Sequence, residues 1–421
     1  MKRFYSCLAG LAVLALSVSA QAGSYQLNDY SVTGLGRSYA GQGIMGDDYS
    51  AIAYNPAGMT LMKKSGVQQA FSMINLKSKL KGIGEEDAGK SAKMNFWQPI
   101  PAGFAQYNVT DKFFLGAGIY APYGLKTQYK SNWFGSDVAI LSKLDIVDFN
   151  VSAAYKFDEH WSVGVSGIIR YIYGRMTQNV PLMLPNPMTG ELQPLGGGKV
   201  NFNVHGWTQT ASLGVMYEVD QNTRFGLSYR LRSAQRAKGL LKSSGNNYDV
   251  LLDGIYPVEA NPDLPETITF SAYHRYEDIG LSGTARWTHW TSSFPNFTIR
   301  SSTPLFMPTG GEKRTEYRYA NTWTLTAGLD YYYDENWTFR CGGGWDESPT
   351  HSASRRTFRI PDNDRWWMSV GASYVYNNWQ IDAAYAHMIG KTGSATEDPT
   401  HQAKYKDLQS HILGVQVQYR F

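Results

Sequence analysis

The chain closes with the stretch HILGVQVQYRF (His411–Phe421), in which apolar and polar positions alternate. From Leu413 onwards the odd-numbered positions are apolar or aromatic, whereas the even-numbered positions are glycine, glutamine or arginine. A period of two is typical of a β-strand with one apolar face. A terminal strand that ends in an aromatic residue such as Phe421 is typical of outer-membrane β-barrels, where it is the signal for the barrel assembly machinery. The alternative is an ordinary edge strand of a soluble sheet.

The same alternation recurs inside the chain. One face of each segment is apolar with aromatic residues toward the ends, and the other face is small, polar or charged. The segments are 161–174, 317–331 and 379–385. This pattern is typical of a transmembrane barrel, in which lipid-facing and lumen-facing residues alternate along the strands. Because a soluble sandwich also alternates, the spacing of the breaks between strands has to decide.

Breaks of two kinds follow one another. Short turns rich in Asn, Asp and Glu occupy 108–112, 158–160, 220–222, 277–279, 334–336 and 377–378. Long connections with most of the Pro and Gly-Gly occupy 82–94, 123–137, 178–200, 237–264, 294–315, 348–363 and 391–407. Such alternation indicates periplasmic turns at one end and extracellular loops at the other. We therefore predict an all-β transmembrane barrel of about fourteen antiparallel strands over residues 65–421.

The first residues predict where the protein goes. Lys2 and Arg3 precede an apolar run, Leu8–Ala20, and Ala20-Gln21-Ala22 gives the small-x-small pattern of a signal-peptidase site. The run is shorter than the roughly 20 residues that a helix needs to span a bilayer. We expect residues 1–22 to be a secretory signal cleaved after Ala22, and the mature barrel to lie in the outer membrane of a Gram-negative bacterium.

Composition excludes several classes of protein. The net charge of +4 comes without a basic block, so a nucleic acid is not an expected partner. After the signal, no run of 18 apolar residues predicts a transmembrane helix. We expect a monomer surrounded by outer-membrane lipid and lipopolysaccharide.

No pattern of reactive residues is typical of an enzyme. His274, His289 and His387 fall in predicted strands without a Ser or acidic neighbour that would suggest a catalytic triad. No C-x-x-C pair or His/Cys cluster suggests a metal or cofactor, and Cys341 is alone in the mature chain. We expect neither catalysis nor a cofactor.

The segment 23–64, ahead of the first strand, has no period of two. Fourteen strands enclose more space than side chains fill, since about eight are nearly enough for that, so something must occupy the lumen. In AIAYNPAGMTLM (Ala51–Met62), Pro56 breaks a short helix that Asp47 and Asp48 are expected to cap. Asn55, before the proline, is pushed out of helical geometry. We predict that 23–64 forms a small helical hatch inside the barrel; a periplasmic tail is the alternative.

Two stretches of this segment resemble a known family. QLNDYSVTGLGRSYAGQG (Gln26–Gly43) and DDYSAIAYNPAGM (Asp47–Met59) look like the hatch of the FadL-type long-chain fatty acid transporters of Gram-negative outer membranes. The Asn-Pro-Ala that marks the hatch in that family is matched by Asn55, Pro56 and Ala57. GIYAPYGL (118–125) and PDNDRWWMSVGASY (361–374) resemble later parts of the family more weakly.

This resemblance implies a mechanism as well as a fold. It implies that extracellular loops capture the substrate, that an inner site near the hatch receives it, and that hatch rearrangement releases it by passive diffusion. It also implies a lateral exit through the barrel wall at an inward kink of the third strand. Gly118, Pro122 and Gly124 are the candidate kink residues, because Pro and Gly interrupt a strand ladder.

A fatty acid requires an apolar groove and a cation, since its carboxylate cannot be buried unpaired. Alternation predicts lumen-facing positions for Arg170, Arg224, Arg230, Arg286, Arg318, Arg340 and Arg365. We select Arg170, Arg286 and Arg318 as carboxylate candidates, with Arg170 first because apolar residues flank it on its own face. The alternative is that these arginines pair with acids of the lumen face such as Asp148, Glu218, Asp346 and Asp382, or with Asp47 and Asp48 of the hatch.

Two long connections are apolar enough to form the outer capture site. They are VPLMLPNPM (180–188) and VLLDGIYPV (250–258), and an apolar surface loop suggests an apolar partner. The candidate residues are Leu182, Met183, Leu184, Leu251, Leu252 and Ile255. The alternative is that the loops pack on one another.

The cargo is left open by the sequence. Members of the family that the chain resembles also import aromatic hydrocarbons and other small hydrophobic compounds. The lumen arginines favour an acid over a neutral arene. A general porin or an adhesin is a more distant alternative, since a porin would have an inward-folded loop in place of an N-terminal plug.

Overall fold

The computed structural model of the protein describes residues 25–84, 87–185, 192–245, 254–292, 296–301, 312–397 and 401–421. The expected signal, 1–22, and the first two residues of the expected hatch lie outside the described residues. Within the described ranges, no helix combines the length and the apolar character that crossing a membrane requires.

Strands dominate the chain after residue 65. The described part contains β1 (Gly66–Gly82), β2 (Ser91–Asn108), β3 (Phe113–Gln128), β4 (Leu141–Lys156), β5 (Trp161–Pro185), β6 (Leu192–Glu218), β7 (Thr223–Arg230), β8 (Ala237–Gly245), β9 (Gly254–Ala260), β10 (Thr267–Tyr276), β11 (Ile279–Thr288), β12 (Asn296–Ser301), β13 (Glu312–Glu316), β14 (Thr322–Tyr332), β15 (Trp337–Asp346), β16 (Arg365–Tyr376), β17 (Trp379–Gly390), β18 (Gly393–Thr396) and β19 (Gln402–Arg420). Short 3₁₀ helices at Trp290–Ser292 and Ala353–Arg355 interrupt the connections.

Fourteen of these strands close into a barrel. Each pairs antiparallel with its neighbours in the order β1-β2-β3-β4-β5-β6-β7-β10-β11-β14-β15-β16-β17-β19, and β19 pairs with β1 along almost its whole length. Closure joins the first strand to the last, so the sheet has no terminal edge. The predicted fourteen-stranded barrel with small helices at the N-terminus is confirmed.

The long connections contain more strand than the sequence predicts. The stretch 178–200, expected to be a loop, is mostly a continuation of β5 and β6, which pair from Trp161 up to Pro185. The connections after β7 and β11 form the hairpins β8–β9 and β12–β13. Once two strands are in register, continued pairing satisfies backbone groups above the membrane, and this gain needs no apolar alternation to signal it.

Exposure follows the predicted alternation where the strands are regular. On β5, Val165 and Ile169 are 49% and 57% exposed, whereas Ser166 and Arg170 are buried. The alternation predicted across 317–331 is wrong before residue 322. Arg318 has φ +47°, which turns the chain so that Tyr319 points into a buried cluster while Trp323 lies on the exterior.

The segment 25–64, called the hatch below, precedes β1. It contains α1 (Val32–Gly36), α2 (Ala51–Tyr54) and a 3₁₀ helix at Pro56–Leu61. Asn55 separates the last two with an extended backbone at φ −149°, as expected before proline. Its side-chain oxygen accepts a hydrogen bond from the Ala57 N–H at 3.1 Å, so the break between the two helices is also a cap.

Asp47 and Asp48 do not cap α2 as the sequence predicts. Ser50 is the N-cap residue, without a side-chain cap, and Asp48 accepts from the Ser50 N–H at 3.0 Å. Asp47 instead turns toward Arg37. Asp48 thus binds Ser50 and the Ser31 hydroxyl, and Asp47 binds a guanidinium group.

A hydrophobic core joins the hatch to the barrel wall. It is formed by hatch and strand side chains that are almost fully buried, among them Leu27, Leu35, Ile52, Met59, Ile74, Ile100, Phe104 and Ile412. Burial of each such side chain contributes roughly 1.5–3 kcal/mol. Hatch and wall therefore share one close-packed hydrophobic core.

A cluster of four charged residues fixes the hatch to the opposite wall. Asp330 on β14 lies 2.8 Å from Arg37 of the hatch and 2.8 Å from Arg340 on β15. Asp47 of the hatch approaches the same two arginines, at 3.3 Å from Arg340. Two carboxylates thus balance the charge of two guanidinium groups. Asp330 is fully shielded from water in this cluster.

We expect Asp330→Ala to release the hatch. Removing one anion leaves two buried guanidinium groups on one carboxylate, at a cost of about 3–5 kcal/mol. Thermal unfolding and limited proteolysis of the detergent-purified protein measure the effect, with cleavage expected within 25–64. Asp278→Ala in an exposed turn is the control, expected to change stability by less than about 0.5 kcal/mol. Equal protection of the hatch in wild type and Asp330→Ala would contradict a fastening role for the cluster.

Asp29 is a second buried carboxyl of the hatch. Burial raises its pKa from 3.8 to about 6, against the opposing effect of the hydrogen bond that the Tyr39 hydroxyl donates to it. Between these two pH values the packed hatch holds a proton that a solvated carboxyl has lost. The packing is therefore strongest below about pH 4 and loses stability as the pH rises to about 6.

Hydrogen exchange of the hatch amides at fixed intervals from pH 4 to 7 tests this linkage. After correction for intrinsic rates, protection is expected to fall with rising pH by at most about 3 kcal/mol through Asp29. Asp29→Asn, which keeps an acceptor for Tyr39, should show a smaller fall. A fall of the same size in both proteins would assign the pH dependence to another group.

Candidate functional site

The Asn-Pro-Ala motif lies against glycines of the wall. A Cβ at Gly214 on β6 would lie 1.9 Å from the Asn55 Oδ1, and one at Gly164 on β5 would lie 2.4 Å from the Pro56 carbonyl carbon. The Asn55 Nδ2 donates to the carbonyl of Val215 at 3.3 Å. Only glycine lets the hatch approach these strands so closely, so motif and wall are matched.

Hatch carbonyls are bound by lumen-facing wall residues. Arg224 donates to the carbonyls of Ile44 and Met45 at 2.5 and 2.6 Å. Arg230 donates to the Ala53 carbonyl at 2.8 Å. Both arginines were predicted to face the lumen, and both bind the backbone of the hatch. Arg224 binds carbonyls of residues that precede α2, and Arg230 binds a carbonyl within α2.

Arg170, the first carboxylate candidate, is already paired. Its Nε and Nη2 donate to both oxygens of Asp148 at 2.6 and 2.8 Å, and its Nη1 donates to Ser233 at 3.2 Å. Arg230 also reaches Asp148, at 3.2 Å. A ligand carboxylate at Arg170 would have to replace Asp148, so the sequence prediction for this residue has a competitor inside the wall.

Arg286, the second candidate, has no such competitor. The guanidinium donates to the side-chain oxygen of Asn28 and, at 3.1 Å, to Thr324. Its Nε is buried without an acceptor, and no carboxylate of the described residues lies within ion-pair distance. It borders a cavity of about 30 Å³ that Tyr30 and Pro122 also line. Arg286 is thus a buried cation with bonding capacity to spare.

Arg318, the third candidate, is not in a barrel strand. It follows β13, is exposed, and lies 2.5 Å from Glu316. The prediction placed Arg318 in the lumen because it continued the alternation of β14 toward the N-terminus, but the positive φ of Arg318 interrupts that alternation. Arg318 therefore lies on the surface, at the end of the barrel that carries the loops.

The candidate kink residues surround a bulge in β3. Between Tyr120 and Tyr123 the pairing with β4 shifts, so that Ala121 and Pro122 face a single residue of β4. Gly118, just below, is packed so that a Cβ would lie 2.6 Å from the Phe104 ring. All six residues 120–125 are buried without alternation.

The pairing between β2 and β3 is incomplete. β2 and β3 pair from Gly103 to Asn108 with Phe114 to Ile119 and no further, although both continue toward the loops. The hatch takes over part of the missing pairing. Gly124 N–H donates to the Tyr25 carbonyl, and Leu27 N–H donates to the Pro122 carbonyl, both at 2.8 Å.

Above the hatch lies an apolar cavity of about 70 Å³. Its apolar lining comes from Tyr25, strands β3 to β6 and the loops, and comprises Leu125, Leu144, Ile172, Met176, Phe202, Val204, Tyr317 and Ile360. This volume holds several waters but is small beside typical ligand sites of several hundred Å³. A long ligand would require the loops to separate.

Arg359 places a guanidinium on this cavity. It donates to the Ser142 hydroxyl at 3.2 Å and to the oxygens of Val138 and Gln178, all of them neutral acceptors. In the described part of the chain, Arg359 forms no ion pair. The lining also includes Lys143, which pairs with Asp145 at 2.9 Å, and the exposed Arg175. The cavity therefore combines apolar walls with cations, of which Arg359 is bound by neutral acceptors only.

Burial lowers the pKa of Arg359, although Tyr317 and Glu397 act in the opposite direction. Loss of water without a compensating anion has this effect on a cation. Sequence analysis missed this residue, because a loop has no period that reports which side chains point inward. The one signal in the sequence is an arginine set between Phe358 and Ile360.

The predicted loop-capture residues are only partly described. Leu182, Met183 and Leu184 lie on the extension of β5. Leu251 and Leu252 lie outside the described residues. Ile255 is on β9 and is 61% exposed. A role in capture stays a prediction for all of them.

Metal-ligating groups are scarce in the described ranges, where no cluster of three or more His, Cys, Asp or Glu residues could hold an ion. His387 and His411 approach on the exterior with their Nδ1 atoms 3.2 Å apart. Cys341 is an exposed free thiol.

Comparison with known proteins agrees with this architecture. The long-chain fatty acid transport protein of Escherichia coli K12 is 28% identical over 424 residues, covering 92% of this chain and 93% of that protein. The crystal structure of a Pseudomonas aeruginosa FadL homologue superposes with a TM-score of 0.84 at 23% identity, covering 94% of this chain and 100% of that one. The Ralstonia pickettii toluene transporter TbuX superposes at 0.64 with 19% identity, covering 89% and 94%.

The family described as outer membrane protein transport protein (OMPP1/FadL/TodX) matches residues 13–421. The barrel, the helices ahead of it and the bulged third strand lie within that match. The chain belongs to this family of bacterial outer-membrane transport proteins.

Proposed function

We propose that the protein takes up long-chain fatty acids across the outer membrane by passive diffusion. The observation that carries the proposal is the apolar cavity with Arg359 on its lining, bound only to neutral acceptors. An apolar wall with cations on its lining, among them Arg359 with neutral acceptors only, fits a ligand with an apolar chain and one carboxylate. The sequence similarity to a fatty acid transport protein supports the same cargo.

The energetics of binding favour such an amphipathic acid. Burying about fourteen methylenes at about 0.8 kcal/mol each gives on the order of 11 kcal/mol before the entropy of association is subtracted. The carboxylate would offset part of this gain if it were buried alone. A charge-assisted hydrogen bond from Arg359 contributes about 1.5–3 kcal/mol and removes that penalty.

Arg286 marks a second, inner station on the proposed route. It lies next to the hatch through Asn28 and has a buried Nε without an acceptor. A carboxylate that left Arg359 could be received there without displacing an acid of the wall. Movement of the hatch, including the broken helix at Asn55-Pro56-Ala57, would then clear the way to the gap between β2 and β3 for lateral release.

Uptake of aromatic hydrocarbons is the second candidate function. Rings of Tyr25, Phe202 and Tyr317 lie among the lining of the cavity, and a small arene needs less space than an acyl chain. The fold similarity to a toluene transporter is compatible with this cargo. Arg359 would then have a structural role only.

Three further assignments belong to the same proposal. The protein works as a transporter and not as an enzyme, and it is a monomer. The assembly machinery recognises the last strand through Phe421, which is exposed and bound to Ser65 through its backbone N–H at 2.8 Å.

Identification of the bound ligand is the direct test. The purified mature protein is incubated with an equimolar mixture of fatty acids and simple aromatics, washed, and analysed by mass spectrometry. Retained long-chain acids are expected. Retention of arenes alone would transfer the function to hydrocarbon uptake.

Arg359→Ala is expected to weaken binding of a long-chain acid about 10- to 100-fold, because one charge-assisted hydrogen bond is lost. Binding of the corresponding methyl ester should change less than about threefold. Arg359→Lys, which keeps the charge, and Arg318→Ala, which removes an exposed cation of the same end, are the controls. Titration calorimetry of each variant with both ligands checks this. Equal losses for acid and ester would identify a packing role.

Deleting Pro122 should close the lateral gap. Without it, Ala121 alone faces Val147, so the bulge is abolished, Tyr120 and Tyr123 keep their inward orientation, and β3 can continue its ladder with β2. Uptake of a labelled fatty acid by reconstituted vesicles is expected to fall at least tenfold, with binding retained. Pro122→Ala, which keeps the length of the strand, is the control. Undiminished uptake by the deletion variant would exclude this exit.

A further inference from the structure

Six lysines gather on the exterior of three neighbouring strands near the loop end of the barrel. They are Lys77, Lys79 and Lys81 on β1, Lys93 on β2, and Lys404 and Lys406 on β19. All are exposed except the half-buried Lys79. Leu80, Ala92 and Tyr405 between them are buried in an inner cluster, which fixes the lysines on the outer face. We call this group the lysine patch.

Strand register puts like charges directly opposite one another. Lys79 pairs across with Lys93 on one side and with Lys406 on the other. Lys81 pairs across with Lys404. Directly opposite side chains have Cβ atoms about 4.5–5.5 Å apart, and like charges at that distance destabilise the sheet.

Acidic side chains do not compensate this repulsion in the described ranges. None of the six lysines forms an ion pair there, whereas Lys90 and Lys391 nearby pair with Asp87 and Asp364. Asp407, next to Lys406, is exposed at a bulge with positive φ and forms no ion pair in the same ranges. Six cations thus share one face of a protein whose net charge is only +4.

The patch lies where the bilayer surface is expected. Below it, the same strands are apolar outside, with Phe71 and Leu413 44% and 49% exposed. Trp97 and Tyr385 mark the transition, as aromatic girdles do at membrane interfaces. Lys79 is four residues above the level of Trp97, or roughly 10 Å along tilted strands. The long loops lie beyond, so this is the outer leaflet.

We propose that the lysine patch binds the phosphorylated headgroup of an outer-leaflet glycolipid, with the lipid's acyl chains against the apolar strip below. The row Lys93–Lys79–Lys406 is expected to contact the phosphates, with Lys81 and Lys404 above. Clustered basic residues beside a bilayer attract anionic lipid headgroups. The apolar strip distinguishes this site from one for a soluble anion, because it provides for both ends of a lipid. The inference does not depend on the cargo of the lumen.

Native mass spectrometry of the full mature protein in a mild detergent tests the proposal. The probe is a synthetic bis-phosphorylated, multiply acylated disaccharide lipid, titrated against wild type and against Lys79→Gln/Lys93→Gln/Lys406→Gln. Each lysine near an anionic lipid contributes on the order of fivefold, so the triple variant should bind on the order of a hundredfold more weakly. Lys63→Gln/Lys64→Gln/Lys112→Gln removes three exposed lysines at the opposite end, and should bind within about threefold of wild type.

Two comparisons distinguish a lipid site from a site for a soluble anion. The dephosphorylated lipid should bind wild type as weakly as the phosphorylated lipid binds the triple variant, and inorganic pyrophosphate at equal concentration should not displace the lipid. Displacement by pyrophosphate, or equal binding by the wild type and the variant, would overturn the proposal.

Stability provides an independent readout. Without lipid, the triple glutamine variant should unfold at the same temperature as wild type or higher, because repulsion along the row is removed. The bis-phosphorylated lipid should raise the unfolding temperature of wild type only. If the lysines were needed for the barrel itself, the variant would unfold earlier without lipid, and the single variant Lys93→Gln would follow it; that outcome would also overturn the proposal.

Discussion

Closure of a fourteen-stranded sheet in a bilayer is the constraint on which the other features depend. Every backbone group must be paired, so the sheet closes, and closure at this strand number leaves a lumen that wall side chains cannot fill. The hatch fills it, and its own backbone and charges then need partners in the wall. The Asp330 cluster and the arginines that bind hatch carbonyls meet this second need.

Glycines of the wall make the fit possible. Because Gly164 and Gly214 have no Cβ, Asn55 and Pro56 can approach the wall closely. The lumen thus consists of two surfaces shaped against each other. Small cavities are left where the fit is incomplete, one on the loop side of the hatch at Arg359 and one beside the hatch at Arg286.

The barrel could be predicted from the sequence because alternation has a single physical cause, the lipid outside and the polar lumen inside. Predictions failed where that cause stops acting. At Arg318 a positive φ ends the alternation, and in 178–200 the strands continue above the membrane. Arg170 was placed correctly on the lumen face, but its pairing with Asp148 depends on register between strands, which one sequence does not report. The position of Arg359 depends on the conformation of a loop. The lysine patch depends on the pairing of strands that are distant in sequence.

The bulge in β3 has a mechanical consequence. Where β2 departs, β3 would present a free edge, and Tyr25 and Leu27 of the hatch cover it with two backbone hydrogen bonds. The first residues of the hatch therefore act as a short additional strand along the edge of β3. Whatever pulls this segment away from Pro122 and Gly124 also uncovers the edge, so the plug and the side wall share one fastening. This geometry supports the proposed lateral exit, because displacing the hatch would uncover the edge without any contact between a ligand and the lipid-facing surface.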